Sequence, residues 1–205
     1  MSQTAPFQLM PLPYAYSALE PYIDAKTMEL HHDRHLKTYV DNLNAALEKC
    51  PAYHNCSLRQ LILRAPRMPC ALRTAILHNA GGVYNHEFFF NGMTPGGSAA
   101  TGLLAERIQF HFGEPAAFQA KLKEKALEVF GSGYTWLCSN RRGALCIINT
   151  KNQETPLPMS LKPLACIDLW EHAYYLKHYN VRADYIDDWF HIANFGRASE
   201  LYEGK

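Results

Sequence analysis

The chain has 205 residues, 48% hydrophobic and 19% charged, and 20 Lys and Arg against 19 Asp and Glu leave a formal net charge of +1. That length supports a sizeable buried core in one large or two small packed domains, and the charge balance gives no support to a nucleic-acid binder. No apolar run is long enough to span a bilayer, which excludes a transmembrane helix.

From the N-terminus, Pro6, Pro11, Pro13 and Pro21 predict an extended arm over residues 1–21. The start has neither the basic and apolar regions of a secretory signal nor the Arg- and Ser-rich character of a transit peptide, so the expected location is the cytoplasm. Apolar residues at helical spacing from Met28 through Leu47 predict a long helix over 25–47. Further helices are predicted over 57–64 and 72–90, the second carrying Gly81 and Gly82 in its middle. A glycine pair inside a helix points to a close approach to the backbone. The run Thr94-Pro-Gly-Gly-Ser-Ala-Ala100 reads as a linker, followed by helices over 103–112 and 115–130. Short aromatic and β-branched runs at 134–138 and 144–149, separated by Asn140-Arg-Arg-Gly143, predict a hairpin, with a third strand at 164–169. Helices are expected again at 171–179 and 182–194. The fold class is therefore α+β: an N-terminal α-helical hairpin domain over 1–93, then a mixed domain over 94–205 with a small three-stranded antiparallel sheet and flanking helices.

Four clusters carry chemistry. Ten histidines are a generous number, and imidazole is the commonest metal ligand. On a helix, His31, His35 and Tyr39 are successive i, i+4 neighbours and share one face. His86 follows Gly81-Gly82 and precedes Phe88, Phe89 and Phe90; Gln153 sits in a polar turn; Asp168 and His172 stand four apart where a strand becomes a helix. Each alone has a bland reading: a histidine-rich surface helix, a satisfied core histidine, a turn. The six cysteines are scattered without a C-x-x-C pair and are expected as free thiols, mostly core filler, although spacing alone allows Cys50 to bridge Cys56.

Together the clusters resemble a known family. Leu12-Pro-Tyr-Ala-Tyr16, Ala18-Leu-Glu-Pro-Tyr-Ile-Asp24, Met28-Glu-Leu-His-His32 and above all Asp168-Leu-Trp-Glu-His-Ala-Tyr-Tyr175 resemble the iron/manganese superoxide dismutases, in order and along essentially the whole chain. The resemblance implies redox disproportionation of superoxide at one manganese, alternatively iron, ion per chain, held by His31, His86, Asp168 and His172. It implies that Gln153, in the manganese-type position, hydrogen-bonds the metal-bound solvent, with Gly82 leaving the space that a helix-borne glutamine fills in the iron type. It gives Tyr39 and His35 a place in the proton-relaying funnel and makes Arg182 a funnel arginine that attracts the anion. Trp170 keeps an aromatic position beside the site. Glu171 and Tyr175 imply a homodimer, or a tetramer, in which they meet His172 and His35 of the partner subunit.

Some positions depart from the family. Phe90 and Tyr134 stand where tryptophan is usual and would line the metal cavity without an indole N–H. Asn194-Phe195 replaces a usual Asn-Trp pair, Leu36 a frequent histidine and Ala183 a frequent proline. Three rival readings follow: a site that prefers iron or works with either metal, a zinc hydrolase on the same ligands, and a metal-binding protein without turnover. The hydrolase lacks an uncommitted general base. Retention of Tyr39, His35 and Gln153 argues against the last.

Overall fold

The structure, a computed structural model, describes residues 4–204; the first three residues of the predicted arm and Lys205 lie outside it. The arm docks on the helices that follow. Buried Phe7 exchanges two hydrogen bonds with the Asn44 side chain, at 2.8 and 2.9 Å, and Tyr14 donates to the Phe90 carbonyl at 2.9 Å.

Asp24 caps α1 (Ala25–Glu29) by accepting from the Thr27 N–H at 2.8 Å. The helix then widens into a π segment over Leu30–Leu36 before α2 (Lys37–Glu48). The predicted long helix is thus continuous in path but not in hydrogen-bond pattern. α3 (Leu58–Arg64) opens on a capping box between Ser57 and Gln60. Replacing Ser57 by alanine should lower stability by about 1 kcal/mol, read from the midpoint of urea unfolding. α4 (Cys70–Asn91) packs along α2 and α3 and completes the helical hairpin.

In the second half, α5 (Gly102–Phe112) and α6 (Pro115–Leu127) precede the sheet. Strands β1 (Gly133–Ser139), β2 (Leu145–Lys151) and β3 (Lys162–Asp168) form an antiparallel sheet in the order β2-β1-β3. β1 is central and buried along its whole length. Its register sets Tyr134 opposite both Thr150 and Asp168, and period-2 alternation puts Tyr134, Trp136 and Cys138 on one face. Trp136 satisfies its buried indole N–H on Thr150 Oγ1 at 2.9 Å.

After β3, the predicted helix over 171–179 is two short pieces, a 3-10 turn at Glu171–Ala173 and α7 (Tyr175–His178). α8 (Arg182–Phe190) ends four residues before the predicted limit. The sequence reading did not foresee α9 (Phe195–Glu203), which Asn194 caps. All six cysteines are free, so Cys50 and Cys56 form no bridge; Cys56, Cys138 and Cys166 are buried and Cys70 is exposed. No helix among the described residues is long and apolar enough to cross a membrane.

Candidate metal centre

Four donor atoms from three parts of the chain meet inside the protein. His31 comes from the π segment, His86 from α4, Asp168 from the last residue of β3 and His172 from the turn after it. All four donors lie within 4.8 Å of one another. Asp168 Oδ2 is 3.4 Å from His31 Nε2, 3.6 Å from His172 Nε2 and 3.8 Å from His86 Nε2, while the His31 and His172 nitrogens stand 3.1 Å apart. Metal–nitrogen bonds of about 2.0–2.1 Å place donors that share one ion at separations of this kind.

The hydrogen bonds around the cluster orient these lone pairs inward. His86 Nδ1 donates to the Gly82 carbonyl at 2.6 Å, which leaves Nε2 as an acceptor facing Asp168. Asp168 Oδ1 accepts from the Trp170 N–H at 2.9 Å. The buried His86 Nε2 and Asp168 Oδ2 have no hydrogen-bond partner. Buried acceptors without donors are costly, so their convergence fits a cation. Three imidazoles and one carboxylate suit a first-row transition metal better than a soft thiolate-seeking one.

Electrostatics keeps this donor set ready. Burial, reinforced by facing His172, lowers the pKa of His31 to about 4, and burial drives His86 well below its usual value. Burial alone would raise the pKa of Asp168, but the facing His172 and His31 rings hold it far below the carboxylate range. His31 and His86 are therefore neutral imidazoles and Asp168 an ionised carboxylate at neutral pH. His31 titrates near 4 in the folded chain and near 6.5 when unfolded, so the unfolded chain binds more protons between these values. The chelator-treated protein should lose thermal stability as pH falls from about 6.5 towards 4. The metal-loaded protein should lose less over the same range.

A ring of side chains surrounds the donors. Gln153, buried, donates from Nε2 to the Tyr39 hydroxyl at 3.1 Å and accepts from Asn85 Nδ2, also at 3.1 Å. Sequence reasoning missed Asn85, although it sits one residue before His86 in a helix already singled out. Phe90 packs its ring 4.9 Å from that of His31, and Tyr134 lies 6.3 Å from His86 with its buried hydroxyl unpartnered. Trp170 lies 5.6 Å from His172 and donates its indole N–H to the Asn152 carbonyl at 3.2 Å.

At Gly82, an added Cβ would lie 2.5 Å from Tyr39 Cδ1. The space this glycine leaves is taken by the Tyr39 ring. It is Gly81 that meets Gln153, whose carbonyl would stand 2.2 Å from a Cβ there. Gly82→Ala should therefore push Tyr39 off Gln153 and lower both melting temperature and activity.

Models of two domains match the chain: the alpha-hairpin domain of the iron/manganese superoxide dismutases over residues 6–94 and their C-terminal domain over residues 100–201. The chain belongs to the iron/manganese superoxide dismutase family. It is 44% identical over 200 residues to "Superoxide dismutase [Mn]" of Thermus aquaticus, covering 97% of this chain and 98% of that one. With "Superoxide dismutase [Mn]" of Thermus thermophilus the identity is 43% over 199 residues, at 97% and 98% coverage. "Superoxide dismutase [Mn] 1" of Leptolyngbya boryana is 43% identical over 201 residues, covering 97% of this chain and 81% of that protein.

In this dismutase the cluster opens to the surface through a groove lined by Leu30, His35, Thr38, Tyr39, Tyr175 and Leu176, with Arg34 and Glu171 at its sides. The His35 ring lies 3.9 Å from that of His172, tilted by 37°, and meets the Tyr39 ring edge-on at 5.1 Å. Arg182 is not among the groove residues. Its guanidinium donates to the carbonyls of Val129 and Gly131 and to the Tyr174 hydroxyl. The arginine that borders the groove is Arg34, which the sequence reading passed over although it lies between His31 and His35.

Proposed function

We propose that this chain disproportionates superoxide to dioxygen and hydrogen peroxide at a mononuclear manganese centre, with iron the alternative metal, held by His31, His86, Asp168 and His172. The observation that carries this reading is the convergence of four donors, two of them buried atoms with no hydrogen-bond partner. Two ligands, His31 and His86, come from the proposed 1–93 domain, and Asp168 and His172 from the proposed 94–205 domain. When bound, the metal supplies the one-electron couple that takes an electron from one superoxide and gives it to the next.

The protein's own groups do the rest. Arg34 at the groove attracts the anion electrostatically. Phe90 and Tyr134, both fully buried, close the far side against water. Burial raises the pKa of Tyr39, so its hydroxyl keeps its proton at neutral pH. That hydroxyl already accepts from Gln153 Nε2, which leaves its own proton free to be given to reduced substrate. The reaction consumes two protons for every two superoxides, and Tyr39 with adjacent His35 is the route we assign to them. We assign the Gln153 amide, held between Asn85 and Tyr39, to tuning solvent bound to the metal, and the family's pairing of this glutamine with a glycine at residue 82 is our ground for preferring manganese.

The working form we infer is a cytoplasmic homodimer in which Glu171 meets His172 of the partner subunit and Tyr175 meets His35 of the partner subunit. Support comes from the exposed apolar side chains gathered at the groove: Leu30 (36% exposed), Tyr175 (48%) and Leu176 (54%). Sedimentation should give twice the chain mass, and Glu171→Ala should shift the protein towards monomer. The reaction itself is tested by loading chelator-treated protein separately with manganese, iron and zinc. Hydrogen peroxide release from superoxide with manganese supports the proposal, and release with iron alone reverses the metal assignment. Activity only with zinc, on an ester or amide, would replace the reaction.

A further inference from the structure

The opposite end of the sheet carries a cluster that dismutation does not use. Arg59 of α3, Arg107 of α5, Arg141 and Arg142 of the β1–β2 turn and Lys162 at the start of β3 line one groove of about 880 Å³. All five are exposed, and no Asp or Glu is among the described residues lining the groove. The whole chain carries a net charge of only +1, so five cations in one groove are a local concentration. The surface ion pairs Lys26–Glu29, Lys37–Asp41, Lys123–Asp187 and Lys125–Glu128 all lie elsewhere. Like charges gathered without acids repel one another and form a field suited to an anion.

The turn that presents two of these arginines is held from within. Asn140 Oδ1 accepts from the N–H groups of Arg142 and Ala144, at 2.8 and 3.0 Å. Tyr202 donates to the Gly143 carbonyl at 2.7 Å, and Gly143 has a φ of 77° with Tyr202 Oη only 2.8 Å from where a Cβ would stand. The turn is therefore preorganised, which reduces the ordering that a ligand must impose. Leu63 and Leu103, 41% and 43% exposed, add apolar wall beside the cations.

We propose that this groove binds a small molecule bearing linked phosphates, of the nucleoside triphosphate class, with its ring body against Leu63 and Leu103. Four of the five cations are arginine, whose planar fork pairs with phosphate oxygens two at a time. Three linked phosphates carry about four negative charges, a match for the five cations. The groove volume falls within the roughly 300–1,000 Å³ typical of small-ligand sites. Tyr134 pairs with Asp168 at one end of β1 and Ser139 lines the groove at the other, five residues or about 17 Å along the strand. The two sites share no lining residue.

Isothermal titration of the metal-loaded full chain with sodium tripolyphosphate, and separately with ATP, tests this, with metal content measured before and after. The expected result is saturable binding of one molecule per chain, weakening with added salt and tighter for ATP than for tripolyphosphate. The Arg141→Ala/Arg142→Ala double variant should bind about tenfold more weakly or worse, with dismutation unchanged. Arg107→Ala/Lys162→Ala provides the same test away from the turn, should the first variant unfold. Absence of saturable binding, or equal binding by both variants, overturns the proposal. So does a DNA duplex that binds here and is not displaced by tripolyphosphate, since the face would then be a nucleic-acid surface.

Discussion

Asp168→Ala should purify with at least about tenfold less metal than the unchanged chain and with activity reduced in proportion. Asp168 is the only carboxylate among the four converging donors, and it is fully buried. Without it, three imidazoles face a dication with no negative charge to offset it. The substitution also takes the acceptor from the Trp170 N–H, whose bond to Asp168 Oδ1 fixes the start of the turn that carries His172. An unpaired N–H at this partly buried place costs about 1–3 kcal/mol, so some loss of stability should accompany the loss of metal. Asp168→Asn separates the two effects. It keeps the acceptor oxygen, and should restore the melting temperature of the chelator-treated protein without restoring metal affinity.

Gln153→Ala should do the reverse: metal stays and turnover falls by about 10- to 100-fold. The side chain contributes no donor to the four-atom cluster, so elemental analysis should be unchanged. What it removes is the amide between Asn85 and Tyr39, leaving Asn85 Nδ2 with the Glu154 carbonyl as its acceptor and the Tyr39 hydroxyl without the hydrogen bond that orients it. A shifted metal reduction potential distinguishes tuning from simple loss of packing. A wild-type rate in this variant would remove Gln153 from the mechanism.

Much of this arrangement is legible in the sequence because the motifs that carry His31, His86, Asp168 and His172 together resemble one family, whereas each motif alone has a bland reading. Asp168 and His172 flank a strand end and a turn, and His86 follows a glycine pair on a helix whose neighbours are tightly constrained. The π segment over Leu30–Leu36 is not legible, since apolar spacing near 3.6 residues cannot tell an i→i+5 bond from an i→i+4 bond. Yet that segment is what carries His31 and His35. The partner of Gly82 was equally hidden: the pattern announces a close approach, but only the tertiary path of α2 along α4 shows that Tyr39 makes it. Arg182 lies outside the groove because Val129 and Gly131 offer it carbonyls, a contact between distant segments that no local pattern encodes. α9 escaped because Gly196 lies inside its first turn, where helix propensity is poor, and the Asn194 cap compensates.

The most direct test of the metal-centre account is elemental analysis of the purified protein, with superoxide disproportionation assayed on the same sample. Close to one manganese per chain, with activity rising in step with occupancy, is the predicted result. A fully occupied site that turns over no superoxide would contradict the account, and would direct attention to Phe90 and Tyr134 in the wall of the cavity.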